Sequence, residues 1–138
     1  MKYMLVMCDA ETDVELSPEE LQTMFAVMGA YNDELAEAGV LVTAEGLSPA
    51  VEGVRIEYSE NGAEVTDGPF AEAKEVFAGY WILETATQEE AVEWARKAPL
   101  RSGSITVRRM PSLDEFDLDL DAVKQEGEWR SASGERIG

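Results

Sequence analysis

The sequence predicts an α+β domain made of two strand–helix–strand halves, and three observations carry that expectation. Residues 3–8 and 78–84 are runs apolar on both of their alternating faces, as strands covered on both sides must be. Residues 17–39 carry a complete helix signal, from capping residue to glycine stop. The same start signal returns at Thr87–Glu90, ahead of a second, shorter amphipathic stretch.

The first strand sets Tyr3, Leu5 and Met7 against Met4, Val6 and Cys8, and reaches Asp9 too early for a secretory leader. In Ser17-Pro18-Glu19-Glu20, Ser17 is the cap, Pro18 takes the first helical position and Glu20 closes a capping box. Leu21, Met24, Phe25, Met28, Tyr31 and Leu35 follow at steps of three and four residues and form one apolar stripe, with Gly39 as the stop. A second strand is expected over 40–44. Val54, Ile56 and Tyr58 alternate with Arg55 and Glu57 as a third, and Asn61-Gly62 is the expected two-residue loop before a short strand over 63–66. Asp67-Gly68-Pro69-Phe70 reads as a turn and 71–75 as a helical turn. After the strand over 78–84, Ala91, Trp94, Ala95 and Ala98 line the second helix up to Pro99, and 104–109 forms the last strand. This order is a ferredoxin-like β-α-β-β-β-β-α-β sandwich with an inserted hairpin. Helices cover one face, so the doubly apolar strands call for a second subunit on the other. The domain is expected over 1–110. From 111 to 138, acidic residues alternate with Phe116, Leu118 and Leu120, which reads either as an arm crossing to a partner or as a solvated tail.

Composition narrows the function. The 138 residues include 11 basic and 29 acidic side chains, for a formal net charge of −18 and no histidine. Such a charge opposes direct binding to nucleic acid or to an anionic membrane, and no run approaches the roughly 18 apolar residues of a membrane span. A cytoplasmic location is expected. The single cysteine, Cys8, excludes an intrachain disulfide, and the lack of histidine excludes Ser-His-Asp, Cys-His and His-metal chemistry. Asp117-Leu-Asp-Leu-Asp121 is not an EF-hand loop, because Ala122 stands where glycine is needed and Glu126-Gly127 is expected to break the flanking helix. No metal or cofactor is expected.

The densest set of unusual residues is Val65–Glu75. Gly68-Pro69 forces a turn that pins Asp67, with Phe70 anchoring it and Lys74 close behind. A carboxyl held against an apolar wall can serve as acid or base, whereas one satisfied by its own turn's backbone is structural. Both readings stand at this point.

Asp67-Gly68-Pro69-Phe70, Ala71-Glu72-Ala73-Lys74-Glu75 and Gly79-Tyr80 resemble the hallmark of the YCII-related family, in its DGPF-domain branch. Lys2-Tyr3-Met4-Leu5, Ala38-Gly39-Val40-Leu41, Glu45-Gly46-Leu47, Pro49, Glu90-Ala91, Trp94-Ala95, Pro99 and Val107-Arg108 extend the likeness over roughly residues 1–110. The resemblance implies a ferredoxin-like homodimer whose sheets face each other as a dimeric α/β barrel. It also implies a His–Asp pair, of which this chain keeps only Asp67. Thr106 and Arg109 depart from the branch's usual Glu and Pro. Members of the branch occur beside extracytoplasmic-function sigma factors, which implies a regulatory or sensing role.

Two functions follow as expectations. One is a dimeric module binding a small ligand, or a sigma-factor-type protein partner through its acidic surface. The other is a small isomerase or lyase with Asp67 as acid or base, Arg108 as anion anchor and Glu45 or Lys74 assisting. Tyr3, Phe70, Tyr80 and Trp81 would supply aromatic walls, or else serve as ordinary core packing.

Overall fold

The computed structural model describes residues 1–9, 16–67 and 76–134. Strands β1 (Lys2–Asp9), β2 (Leu41–Gly46), β5 (Val76–Glu84) and β6 (Ser104–Met110) form one antiparallel sheet in the order β2-β5-β1-β6, while β3 (Val54–Ser59) and β4 (Gly62–Asp67) form a separate two-stranded sheet. Helices α1 (Pro18–Glu37) and α2 (Gln88–Arg96) make the crossovers of the two halves. The strand order, with the first strand of each half central, is that of the ferredoxin-like α+β sandwich. The turn and helical turn expected over 68–75 lie outside the described residues.

Both helix starts are built as the sequence requires. The Ser17 hydroxyl accepts the Glu20 N–H at 3.1 Å, and the Thr87 hydroxyl accepts the Glu90 N–H at 3.2 Å. Glu90 reaches back past the cap to accept the Ala86 N–H at 3.2 Å, which ties the incoming chain to the first turn. Gly39 leaves α1 at φ 75°, a left-handed conformation open to glycine without strain.

The core lies between these helices and one sheet face. Tyr3 and Leu5 of β1, Trp81 and Leu83 of β5, Tyr31 and Leu35 of α1, and Ala91 of α2 are buried together. Trp81 meets Tyr31 edge to face, with ring centroids 5.6 Å apart, and its indole N–H donates to Asn32 Oδ1 at 2.8 Å. Tyr31 in turn donates its hydroxyl to the Trp94 carbonyl at 2.7 Å, which joins α1 to α2. Of the aromatics read either as walls of a site or as core packing, Tyr3 and Trp81 are therefore core residues.

Three expectations are corrected. The α1 stripe is not buried along its length: Tyr31 and Leu35 are in the core, but Leu21, Met24 and Phe25 are exposed, Phe25 at 66%. The hairpin loop is Glu60-Asn61 rather than Asn61-Gly62, with Ser59 opposite Gly62 at φ 115°. This register sets Ile56 opposite Val65 and Tyr58 opposite Ala63, so apolar side chains share one face. Finally, the segment after β6, read as an arm or a tail, is largely helical over its described residues. A 3-10 turn (Leu113–Glu115) leads to a third helix, α3 (Asp121–Ala132), which continues through Gly127. Glu115 accepts from Arg109 at 2.7 Å and from the Ser112 N–H at 2.8 Å, fixing the departure from β6. These bonds hold the Glu115 carboxyl below the ordinary carboxylate range, the Arg109 guanidinium being the larger cause. Arg130 pairs with Glu126 one turn back at 2.9 Å.

Two outcomes check this packing. A Cβ on Gly127 would meet only Leu113 Cδ1, at an ordinary 3.6 Å, so Gly127→Ala should raise unfolding free energy by about 0.5–1 kcal/mol in urea melts. Burial, aided by the Glu34 charge, pushes the Tyr31 phenol up from 10.0 to about 12. The folded state then holds that proton more tightly than the unfolded chain, so the stabilisation is complete below pH 10 and is lost as pH rises toward 12. Tyr31→Phe should cost about 0.5–1.5 kcal/mol at pH 8, and the gap to the native chain should narrow across that alkaline window.

Candidate functional site

The second face of the four-stranded sheet positions most of the described candidate residues. Strand pairing orders it into cross-strand rows. Glu45, Tyr80, Val6 and Thr106 form one row, and Thr43, Ile82, Met4 and Arg108 form the next. Lys2, between Glu84 and Met110, closes one end. No residue of these rows is buried, whereas Tyr3, Leu5, Trp81 and Leu83 on the opposite face all are. The centre of the open face is apolar and half-buried, with Met4, Val6, Tyr80 and Ile82 side by side.

A β-bulge shapes one end of this surface. Met7 lies opposite Gly79 and Cys8 opposite Phe77, so Ala78 is an extra residue in β5. The Ala78 carbonyl accepts the Leu47 N–H at 2.9 Å, so the irregularity leaves that acceptor satisfied. The slip moves Phe77 onto the open face, where its ring stacks on Tyr80 with centroids 6.4 Å apart and planes 22° from parallel. Strict alternation would have put these two rings on opposite faces, which is why Phe77 escapes a reading of the sequence. Beside them, Gly79 lets β2 come close: a Cβ there would stand 2.8 Å from the Glu45 carbonyl oxygen.

Glu45 thus sits directly across from Tyr80, with Phe77 beyond, and forms a carboxylate and phenol next to an aromatic platform. Such a set can hold a flat organic ring bearing an amine or hydroxyl group. Arg108 shares the face but stands on the opposite edge strand, three strand spacings or roughly 14 Å away. Neither the Glu45 nor the Arg108 side chain makes a hydrogen bond or ion pair among the described residues. Asp67 lies elsewhere. It ends β4 opposite Val54, exposed, on the two-stranded sheet. Phe70 and Lys74 are outside the described residues.

Two surface depressions lie on the helix side. One of about 300 Å³ is bounded by Arg96, Arg101 and Ser102–Ile105, and one of about 590 Å³ runs between α1 and Pro99. Neither is lined by Asp67, Glu45, Tyr80 or Arg108. Among the described residues no three His, Cys, Asp or Glu side chains gather as a metal site, and no helix is long and apolar enough to cross a membrane.

The family model of the YCII-related domain matches residues 1–113. An uncharacterised protein of Rhizobium meliloti (strain 1021) is 33% identical over 95 residues, which cover 67% of this chain and 77% of the relative.

The close approach at Gly79 gives a test of the site's scaffold. Gly79→Ala should destabilise the fold by about 1–3 kcal/mol, read from urea melts, because the obstructing atom is backbone. It should also shift the amide resonances of Glu45 and Gly46 in NMR spectra. An unchanged β2 edge would mean that the approach is not what places Glu45.

Proposed function

The chain belongs to the YCII-related family, and on that premise we propose that it is a homodimeric module that binds a small aromatic ligand on the open face of its sheet. The observation that carries this reading is the juxtaposition of Glu45, Tyr80 and stacked Phe77 on an apolar, half-buried surface with no residue fully covered. Packing a flat ring against Tyr80 and Phe77 removes apolar area from water, at about 25 cal/mol per Å². The Glu45 carboxylate then supplies a charge-assisted hydrogen bond to a hydroxyl or ammonium group. The overall charge of −18 favours a cationic or neutral ligand over an anionic one. A second copy on this face supports binding further, because it would exclude water from a platform that is otherwise open on one side.

The same charge supports a regulatory use, in which a basic protein partner of sigma-factor type docks on the acidic surface. Turnover with Asp67 as acid or base is the alternative reading. Within one protomer its carboxylate is on the hairpin sheet, apart from the row that holds Glu45 and Tyr80.

Tyramine and catechol serve as probes. Each should raise the melting temperature of the native chain at millimolar concentration. Glu45→Gln should weaken tyramine about tenfold in calorimetric titration, and Tyr80→Ala should weaken both compounds by at least about as much. Equal affinities for native and variant chains would place any binding elsewhere and sink the proposed site.

A further inference from the structure

The apolar stripe of α1 lies open over its first half. Leu21, Met24, Phe25 and Val27 are each at least 41% exposed, and Met28 marks the point where the stripe meets the core. Met24, Val27 and Met28 bound the depression of about 590 Å³ on one side and Pro99 on the other. Its rim is acidic. Glu19 and Glu20 line it, and α1 as a whole carries Glu19, Glu20, Asp33, Glu34 and Glu37 but no lysine or arginine. Arg101 is the single basic lining residue, and its guanidinium makes no hydrogen bond or ion pair among the described residues. These charges choose among occupants. The same surface of a second copy would set one acidic rim against another, and an anionic lipid surface would meet a net charge of −18. A cationic partner is drawn by both the rim and the whole chain. Shape narrows the choice further: the open stripe from Leu21 to Met28 covers two helical turns, about 10 Å. The methionines on its floor are unbranched and adapt to incoming side chains.

We propose that this groove on α1 docks a cationic amphipathic helix, whose apolar anchors at i, i+4 and i+7 fill the space between Met24, Val27 and Pro99 while its lysines or arginines pair with Glu19 and Glu20. This docking rests on the reading in which a basic protein partner meets the acidic surface, and adds to it the docking element and the form of the partner. It does not involve the ligand platform, since α1 packs on the side of the sheet opposite Glu45 and Tyr80. Anchors and cationic flank act together. Burying the anchors against methionine and valine removes apolar area of both chains from water, whereas Glu19 and Glu20 reject a helix whose polar face is acidic. Arg101 can take the exposed carbonyls at the C-terminal end of the bound helix, so the one cation lining the groove does not oppose the docking. A short helix of this kind is mostly unfolded alone in water, so docking also orders it.

A labelled peptide of leucine and lysine, about 14 residues long and patterned as an amphipathic helix, serves as the probe. A scrambled peptide of the same composition and a peptide with glutamate in place of lysine are its controls. Fluorescence anisotropy with the native chain should give a dissociation constant of about 10 μM at about 50 mM salt, weakened at least about fivefold at about 300 mM. The scrambled peptide should bind at least about tenfold more weakly, and the glutamate peptide should not bind. Met24→Ser with Val27→Ser should weaken the patterned peptide about tenfold; both positions are exposed, so thermal melts should show the fold retained. Glu19→Gln with Glu20→Gln should weaken it about fivefold, whereas Glu60→Gln with Glu64→Gln, which removes the same charge from the exposed hairpin, should change it less than about twofold. In the native chain the methyl resonances of Met24 and Met28 should shift during the titration. Equal binding of patterned and scrambled peptides, equal losses from the two charge-removing pairs, no loss from the serine pair, or unmoved methyl resonances would overturn the groove while leaving a basic partner on the acidic surface intact. Failure of both lysine peptides to bind would overturn this inference and the basic-partner reading together.

Discussion

Trp81 is the contact through which the helical layer is keyed to the sheet. Its ring meets the edge of Tyr31, its indole N–H is taken by Asn32, and Tyr31 passes the linkage on to the Trp94 carbonyl of α2. A large aromatic side chain buried at 4% exposure needs a partner for its one polar group, and α1 provides it at a single position. That bond fixes both the rotation and the axial position of α1 over the sheet.

The same strand that anchors the core builds the other face. Along β5, Trp81 and Leu83 point to the helices while Tyr80 and Ile82 point away. Every substitution in this strand therefore lies one residue from a position serving the opposite purpose. An apolar surface of this breadth, with charge of one sign on each flank, is unusual for a side meant only to face water. It is better understood as a surface whose environment is supplied by something else.

Much of the fold is legible in the sequence, because its signals are local and physically strong. Both N-caps, the strands apolar on two faces and the β-α-β repetition all describe what is found. Three things escape for identifiable reasons. Helix α3 is hidden because Asp117-Leu118-Asp119-Leu120 mimics a strand's alternation just before it and Gly127, a poor helix former, sits inside it. The hairpin register is missed because Asn61-Gly62 is the stronger turn signal, yet apolar matching of Ile56 with Val65 prevails. The Phe77–Tyr80 pair is invisible because a bulge breaks the parity on which facing is inferred. Of the candidate site, Glu45, Tyr80 and Arg108 are found on one face, but their spacing depends on strand order, which no local pattern encodes.

The bulge at Ala78 also separates two kinds of inheritance along one strand. Beyond it, from Gly79 to Leu83, side chains alternate regularly between the interior and the open face. Before it, the chain has changed phase, so Phe77 is answerable to the outer surface while the interior positions keep their own alternation. Descendants of this protein can thus exchange the ring at position 77 for a different shape and alter the relief of the open face, without asking the hydrophobic interior to repack. A short irregularity in hydrogen bonding becomes a seam along which the outer surface can diversify while the scaffold is conserved.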